Sequence, residues 1–393
     1  MFCLPIWLSA QDTDIDDVTL QRDSVWYDAV TGRRMHLQRL GGVDTLVYVK
    51  PNALSALAKD IGINVAILSY DHFVQNRWYA HISRHDIEHH FTHAPVWDND
   101  SFSGNQFSHP YHGGMFYNTA RNDGLSYGVS LLYPVIGSFT WEYFCETNAP
   151  AINDLLSTGI GGAAIGEVTH RVSDIFFDDS RVGANRVVRE IVGTLLNPVR
   201  GAHRLLSGEM WRVSQSRGKR EQPQPYSFDI GVGYRNMAED KGNKEVIEVP
   251  YIDFSFLYGN RFTASGHSRP YDFFSVQLLA NLQSGQPSVG QLEIMGRIAD
   301  KQYASKNDWR FDVGFYQHLK YVDHYSKHVQ DPHNFSIISE AVSFGTGLYA
   351  EKEWKHSRLS DDLMLNAVVL GGTPADFFPR RRYDFGTGFS VRN

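Results

Sequence analysis

The spacing of hydrophobic residues changes part-way along the chain. After Pro51, apolar residues return at intervals of three and four, at Leu54, Leu57, Ala58, Ile61, Val65 and Leu68. This is the period of a helix with one apolar face, and proline is common at a helix start. From Tyr226 onwards apolar residues instead return at every second position. The first pattern predicts a helix over about 52–75, and the second predicts strands.

Further helices are predicted between this first helix and the change of period. They are expected at about 78–92, in two or three pieces from Met115 to His170, and at about 182–213 with a break at Asn197-Pro198. Gly159, Gly162, Ala163 and Gly166 leave room for a close backbone approach between helices. A loop is predicted over 95–114 and a short strand over 45–49. The polar segment 214–225 ends in Gln-Pro-Gln-Pro and marks the boundary between the two regions.

The second region contains roughly eight alternating runs joined by polar turns. The runs cover 226–235, 246–258, 272–281, 289–299, 309–316, 335–350, 362–370 and 383–391. Each has about nine or more residues, the length that a tilted strand needs to cross a bilayer. A soluble sandwich shows the same alternation, because it buries one apolar face and leaves the other face polar. The length of the runs and the Tyr, Trp and Phe residues that bracket them favour a membrane barrel.

The predicted fold is therefore α+β, with an N-terminal helical region followed by an antiparallel β-barrel of the transmembrane type. The predicted domains are a helical one at 45–215 and a strand one at 225–393. Aromatic residues make up 13% of the chain, with 20 Tyr and 24 Phe, and this composition suits strands and interfacial girdles. Outer-membrane barrels usually finish on an aromatic residue, whereas this chain stops at Asn393. We therefore expect a truncated form of a larger barrel with about twelve strands, because about eight strands would enclose no helices.

Composition excludes several classes of function. A net charge of −7 provides no basic surface for nucleic acid, so no nucleic-acid partner is expected. Cys3 and Cys145 are too few and too far apart for a disulfide framework or a cysteine zinc site. No run of about twenty apolar residues predicts a spanning helix. Residues 1–10 are apolar and end in Ser9-Ala10, which is typical of the remnant of a signal peptide.

The central segment resembles a known family. The resemblance rests on the stretches His109–Gly124, Trp141–Phe144, Ile152–Leu155 and Gly161–Glu167, with Trp97–Asp100 and Asn105 upstream. These stretches are similar to the bacterial domain of unknown function 3943 family, and the similarity covers roughly residues 45–215. The resemblance implies a cell-envelope protein, typically of Bacteroidetes and similar bacteria. It implies no activity.

Several polar residues of this segment are candidates for a site: His109, Tyr111, Arg121, Glu142, Asn153, Asp154 and Glu167. Carboxylates among small and apolar residues are costly unless they are paired, so a shared hydrogen-bonded network in a structural plug or docking region is the first interpretation. In the alternative, His109 and one carboxylate perform acid-base chemistry on a lipid or envelope substrate. No Gly-x-Ser-x-Gly motif supports a serine hydrolase.

Two weaker patterns concern metals. His81, His85 and His89 are four residues apart and could share a divalent ion on one helix face, although a solvated polar face has the same pattern. The loop with Asp98, Asp100 and Asn105 could bind calcium, but turns need the same residue types. No cofactor is predicted.

Two functions from different classes remain. The first is a non-enzymatic outer-membrane component of a Gram-negative bacterium, in envelope structure, transport or biogenesis, whose partners are outer-membrane lipids and other envelope proteins. The second is an outer-membrane enzyme that acts on lipids at a His and carboxylate site.

Overall fold

A computed structural model describes residues 26–27, 34–40, 43–48, 51–98, 101–213, 224–238, 246–262, 269–304, 307–323, 339–355, 357–374 and 383–392. The predicted signal-peptide remnant at 1–10 lies outside these residues. The chain divides into two units. We call 12–97 with 111–223 the helical unit, and 98–110 with 224–393 and 1–11 the strand unit.

A small antiparallel sheet comes first. Its strands are β1 (Trp26–Tyr27), β2 (Arg34–Leu40) and β3 (Val43–Tyr48), in the order β1-β2-β3. The third of these strands occupies the place of the short strand that was predicted over 45–49.

Nine α-helices follow in the described part of the chain. They are α1 (Ala53–Phe73), α2 (Arg84–Thr92), α3 (His109–Asn122), α4 (Tyr127–Ser130), α5 (Leu132–Phe144), α6 (Ile152–Leu156), α7 (Gly162–Phe176), α8 (Gly183–Leu196) and α9 (Pro198–Leu206). A 3-10 turn at Trp78–Ala80 and π-helical turns at Gly104–Ser108 and Ser157–Gly161 complete the set. Residues 101–122, predicted largely as a loop up to Gly114, are therefore mostly helical.

Local sequence signals explain where these helices begin and end. The side chain of Asn52 accepts a hydrogen bond from the Ser55 N–H at 3.0 Å and caps α1. The break predicted at Asn197-Pro198 is confirmed, because α8 ends at Leu196 and proline begins α9. Asn197 then accepts from the Arg200 N–H at 3.0 Å, which caps the new helix.

Glycines let α3 and α7 approach closely. A Cβ built on Gly162 would lie 2.5 Å from backbone atoms of Gly113, and one built on Gly113 would lie 1.9 Å from the Thr158 carbonyl oxygen. No side chain fits at either position. The small residues predicted to line a helix contact therefore do so at Gly162.

Helices α1 and α8 bury polar residues and expose several apolar ones. Helix α8 buries Arg186 and Glu190, whereas Val187, Val188, Ile191 and Leu195 are more than half exposed. Helix α1 buries Ala56, Asp60 and Asn64 and exposes Leu54 and Phe73. By length and composition α1 could also cross a membrane, which is weak evidence from a single helix. This distribution reverses that of a water-soluble helical domain.

Eight strands form the sheet of the strand unit. They are β4 (Tyr226–Ala238), β5 (Val246–Tyr258), β6 (Phe274–Asn281), β7 (Val289–Ala304), β8 (Trp309–Val322), β9 (Ser339–Trp354), β10 (Ser357–Pro374) and β11 (Tyr383–Arg392). Each pairs antiparallel with the next along the chain, in the order β11-β10-β9-β8-β7-β6-β5-β4. The eight runs of alternating residues predicted these strands.

The two faces of this sheet differ in composition. On β8, Val313 and Phe315 are each 42% exposed, whereas Asp312 and His318, at the alternate positions of the strand, are buried. On β10, Leu363 and Leu365 are exposed and Asn366 is fully buried. We call the face with Val313 and Phe315 the apolar face, and the face with Asp312 and His318 the polar face. Near one end the apolar face is covered by Phe102 and Phe107, whose rings pack against Tyr321.

The structure confirms an α+β arrangement in which helices precede an antiparallel sheet. In the pairings of the described residues, β4 and β11 are the two edges of the sheet, and the predicted closure of a barrel is not among them.

Candidate functional site

Glu167 on α7 is the centre of a buried charge network in the helical unit. Its carboxylate is fully buried and accepts hydrogen bonds from Tyr117, from Arg121 and from Arg171, at 2.7 Å for the shortest contact with each. Arg121 binds both carboxylate oxygens and also donates to the Leu125 carbonyl. Such bidentate pairs fix geometry strongly. The network therefore locks α3 against α7.

A second buried network joins α8 and α9. Arg204 donates to Glu190 at 2.7 Å and to Asp179 at 2.6 Å, and Arg186 contacts the same two carboxylates. Burial alone would lower the pKa of Arg204, but its hydrogen bonds to Glu190 and Asp179 outweigh that effect and raise it. The ring of Phe177 lies 4.7 Å from the Arg204 guanidinium. This network was not predicted, since Arg and Glu three or four residues apart also occur on exposed helices.

Glu142 and Asp154 form a buried pair of carboxylates. They are 1% and 2% exposed, and their nearest ligand oxygens lie within 4.8 Å of each other. Burial raises the pKa of Glu142 well above its usual range, and the charges of Glu146 and Asp154 add to the effect. The Ala151 N–H donates to Glu142 at 2.9 Å, and Asn153 donates to Asp154 at 2.8 Å. Glu142 is therefore a buried carboxyl group whose protonated form is favoured by its surroundings.

His109 and Tyr111 begin α3. His109 is partly buried, and burial lowers its pKa to about 4 although the charge of Asp98 opposes the change. Tyr111 is 38% exposed, and burial raises the pKa of its hydroxyl. Five of the seven predicted polar candidates thus fall into two groups in the helical unit. Glu167 holds Arg121, and Glu142 lies beside Asp154 and Asn153.

The three histidines predicted as a metal site are not held on one helix. Ser83 and Asp86 form a capping box, so α2 begins at Arg84 and His81 precedes it. His81 instead lies against His72 and contacts Asn76, while His89 stacks on His93. Among the described residues, these three histidines do not bring their ligand atoms together. The spacing of four residues predicts a shared face only where both residues are helical.

The structure describes only part of the candidate calcium loop. Asp100 lies outside the described residues. Asn105 is 1% exposed and donates to Asp98 at 3.2 Å, which gives the pair a structural contact of its own.

The polar face of the strand unit also buries charged side chains. Arg297 on β7 is fully buried and contacts Asp312 at 3.1 Å and Asp300 at 3.4 Å. Tyr316 also donates to Asp312, at 3.2 Å. Sequence reasoning placed Asp312 among the polar positions of its strand but did not find the pairing, because the alternation gives the face of a residue and not its neighbours.

A cavity of about 400 Å³ lies at the polar face. A belt of polar residues in register crosses six strands here: Asp229, Ser255, Gln277, Glu293, Lys320 and Glu340. Asp229 on β4 and Arg392 on β11 line the same cavity, so the sheet curves until both its edge strands border one space. Lys320 contacts Glu293 at 3.0 Å, and Arg392 contacts Glu340 at 3.1 Å.

Comparison with known proteins gives one match. Residues 94–199 match the family described as domain of unknown function (DUF3943). The resemblance seen in the sequence is thereby confirmed over these residues. The DUF3943 segment contains Glu142, Asp154 and the network of Glu167, so the buried charges of the helical unit lie largely within it.

No curated protein and no solved structure matches the chain. The family description includes no activity, and the function is therefore argued from the geometry.

Proposed function

We propose that this chain is a membrane protein of the bacterial cell envelope, in the outer membrane, whose strand unit spans the bilayer as a β-barrel and serves envelope structure, transport or biogenesis. The observation that carries the proposal is the reversed polarity of the sheet. Charged side chains such as Arg297 and Glu351 are fully buried, whereas Leu365 and Phe389 on the opposite face are 54% and 81% exposed. In water, such a distribution exposes the apolar face and buries charge, which are both unfavourable.

A bilayer removes this conflict. Lipid-facing strands carry apolar residues outwards and polar residues towards a lumen, in alternation. The meander of neighbouring antiparallel strands is the topology of such barrels, and most of the strands are longer than a bilayer crossing requires. The shared cavity of β4 and β11 supports closure of the sheet, because both edges border the same space.

The helical unit supports the proposal at α8. The Arg186 and Glu190 side chains of this helix are buried while its outward residues are apolar, so this face of α8 is also stable in an apolar surrounding. The compact charge network of the unit suits a structural plug or a docking element, since each buried charge of Glu167 and Arg121 already has its partner within the unit.

The proposal is tested by spin labels along β10 in a background with serine at positions 3 and 145. Labels replace residues 363–367 one at a time, and the full chain is reconstituted in lipid vesicles. Oxygen, which concentrates in lipid, is expected to reach labels at Leu363, Leu365 and Ala367. Labels at Met364 and Asn366, which are buried, are expected to be reached less by oxygen, and a water-soluble nickel complex is expected to reach none of the labels on the apolar face. A label at Arg84, which is highly exposed on α2, calibrates access from water.

The proposal is contradicted if oxygen reaches all five β10 positions equally in vesicles, or if the nickel complex reaches Leu363 and Leu365 as it reaches Arg84. A purified chain that stays monomeric and folded without detergent also contradicts it.

A second candidate function, a lipid-modifying enzyme of the outer membrane, is favoured by the carboxylate pair. The raised pKa of Glu142 favours its protonated form beside Asp154, and a carboxylic acid of raised pKa next to a second carboxylate can serve as a general acid. Expression of the wild type and of an Asp154→Asn variant, followed by mass spectrometry of the membrane lipids, tests this function. An altered lipid in the wild type alone supports it, and identical lipid profiles in both contradict it.

A further inference from the structure

The cavity at the polar face has the size of a small-molecule pocket. Its volume of about 400 Å³ lies within the range of such pockets, roughly 300–1,000 Å³. The charged side chains that line it lie on four different strands, and they are Asp229, Glu293, Asp362 and Arg392. Among the described residues, no three carboxylate or imidazole groups of this cavity come within reach of one metal ion. A guest that contacts several of these groups must therefore extend over several atoms.

Asp229 gives the cavity a negative charge that no ion pair offsets. Each of the other lining charges belongs to a pair: Glu293 with Lys320 at 3.0 Å, Asp362 with Arg261 at 3.3 Å and Arg392 with Glu340 at 3.1 Å. Asp229 is half-buried, and among the described residues it has no such partner. A carboxylate that is partly removed from water and has no counter-charge is stabilised by a cationic guest.

His318 is a second group of the cavity that lacks a partner. It is 1% exposed, and among the described residues neither its Nδ1 nor its Nε2 has a hydrogen-bond partner. A buried polar group without a partner is costly, so this side chain indicates a guest with a hydrogen-bonding group. A neutral imidazole has one nitrogen that donates and one that accepts, and a hydroxyl group can bond to either.

Apolar side chains line the rest of the space. Leu257 on β5, Met295 on β7 and Met364 on β10 border the same cavity, and Met295 packs against the cluster that contains Met364. An apolar body gains free energy when it covers such side chains, and methionine adapts its shape to what it contacts. An apolar wall with a few polar groups at separate points is the usual arrangement of a pocket for an organic molecule.

We propose that this cavity binds a small organic cation. Its protonated amine pairs with Asp229, its apolar body lies against Met295 and Met364, and a hydroxyl group bonds to His318. The bond between ammonium and carboxylate is charge-assisted and is the strongest of these contacts. The inference is independent of the membrane proposal, because the cavity belongs to the strand unit in any surrounding and the spin labels on β10 report on lipid exposure instead.

The test is isothermal titration of the purified full chain, in detergent at neutral pH, with aminohexanol. This probe has its amine and its hydroxyl group at opposite ends of an apolar chain. The matched ligand is the hexanediol of the same length, in which a second hydroxyl group replaces the amine. Aminohexanol is expected to bind the wild type more tightly than the diol. Asp229→Asn should weaken the binding of aminohexanol about tenfold, the change that about 1.4 kcal/mol makes in a dissociation constant, and leave the diol unaffected.

Asp308→Asn is the matched control. Asp308 is an exposed aspartate of the strand unit that is not among the lining residues, and asparagine tolerates its positive φ. This variant should bind both ligands as the wild type does. His318→Leu should weaken both ligands alike, since both keep the hydroxyl group.

Circular dichroism identifies any variant that fails to fold, and the half-buried Asp229 keeps the test valid if His318→Leu does not fold. The proposal is overturned if aminohexanol binds no more tightly than the diol, or if Asp229→Asn binds aminohexanol as Asp308→Asn does. It is also overturned if Ca(II) binds more tightly than aminohexanol, because the cavity would then be a site for an inorganic ion.

Discussion

At the scale of single residues, the buried ions of the helical unit are stable only as sets. Glu167 accepts hydrogen bonds from Arg121 and Arg171 and neutralises charge that water does not reach. Removing one member of a buried ion pair leaves its partner uncompensated, and this costs far more than losing an exposed pair. The chain contains both a buried and an exposed ion pair, so their contributions to stability can be compared.

We expect Glu167→Gln to lower the free energy of unfolding by about 3–5 kcal/mol, because the buried Arg121 and Arg171 then lose the carboxylate that they share. Glu88→Gln is the control, since Glu88 is exposed and pairs with Arg84 at 2.8 Å on α2. Its expected cost is about 0.3–0.5 kcal/mol. Denaturant unfolding of the three proteins measures both values, and equal losses in the two variants would contradict the buried network.

Glu142 predicts a dependence of stability on pH. Its pKa is raised in the folded state, so below its ordinary value of 4.5 both the folded and unfolded states are protonated. As the pH rises above that value, only the unfolded state ionises, and stability is lost by about 1.4 kcal/mol per pH unit until the folded group also ionises. Glu142→Gln removes this loss. The difference between its free energy of unfolding and that of the wild type should therefore grow in favour of the variant as the pH rises above 4.5, and denaturant unfolding at a series of pH values measures it; a difference that stays constant with pH would contradict the raised pKa.

At the scale of elements, the contact between α3 and α7 depends on missing side chains. A Cβ on Gly162 would lie 2.5 Å from the backbone of Gly113, a distance that real structures do not allow. The helices must then separate. The crossing is therefore specified by two glycines and the Glu167 network together.

Gly162→Ala is expected to destabilise the chain by about 1–3 kcal/mol through this overpacking. Gly62→Ala is the control, because a Cβ on Gly62, in the middle of α1, meets nothing within 4 Å. Alanine is the better helix former, so this variant should be more stable by about 0.5–1 kcal/mol. Thermal unfolding that shows the same sign for both variants would refute the close contact.

At the scale of the whole molecule, the reversed polarity of the sheet decides the surroundings that the protein needs. Apolar side chains along β10 and β11 are exposed in a continuous pattern, and Leu363, Leu365 and Phe389 belong to it. The lipid surrounding that we propose would stabilise that face.

An arginine on the apolar face therefore tests the surroundings directly. In vesicles we expect Leu363→Arg to cost about 2–4 kcal/mol, because the charge is placed in the hydrocarbon region. Ser360→Arg, three residues away and exposed near the end of the strand, should cost much less. Unfolding in urea from lipid vesicles measures both, and an equally small cost for the two would place Leu363 in water.

The sequence alone determined the periodic features of this protein. The helix from Asn52, the break at Asn197-Pro198 and the eight alternating runs are local properties, because φ/ψ preference and side-chain period are fixed by neighbouring residues. The resemblance of the central segment to a DUF3943 domain was equally local, since it rests on contiguous motifs. The spacing of the histidines did not predict where α2 starts. The capping box of Ser83 begins this helix at Arg84, so His81 lies outside it.

Only the tertiary structure decided which distant residues meet. Arg121 and Glu167 are 46 positions apart, and Met295 and His318 become neighbours only through the register of β7 and β8. The period of the apolar residues predicts the face on which a residue lies. Its partner across that face depends on the strand register and on the helix crossing, which are determined by packing over the whole fold. The buried networks and the cavity therefore depend on the strand register and the helix crossings of the complete fold.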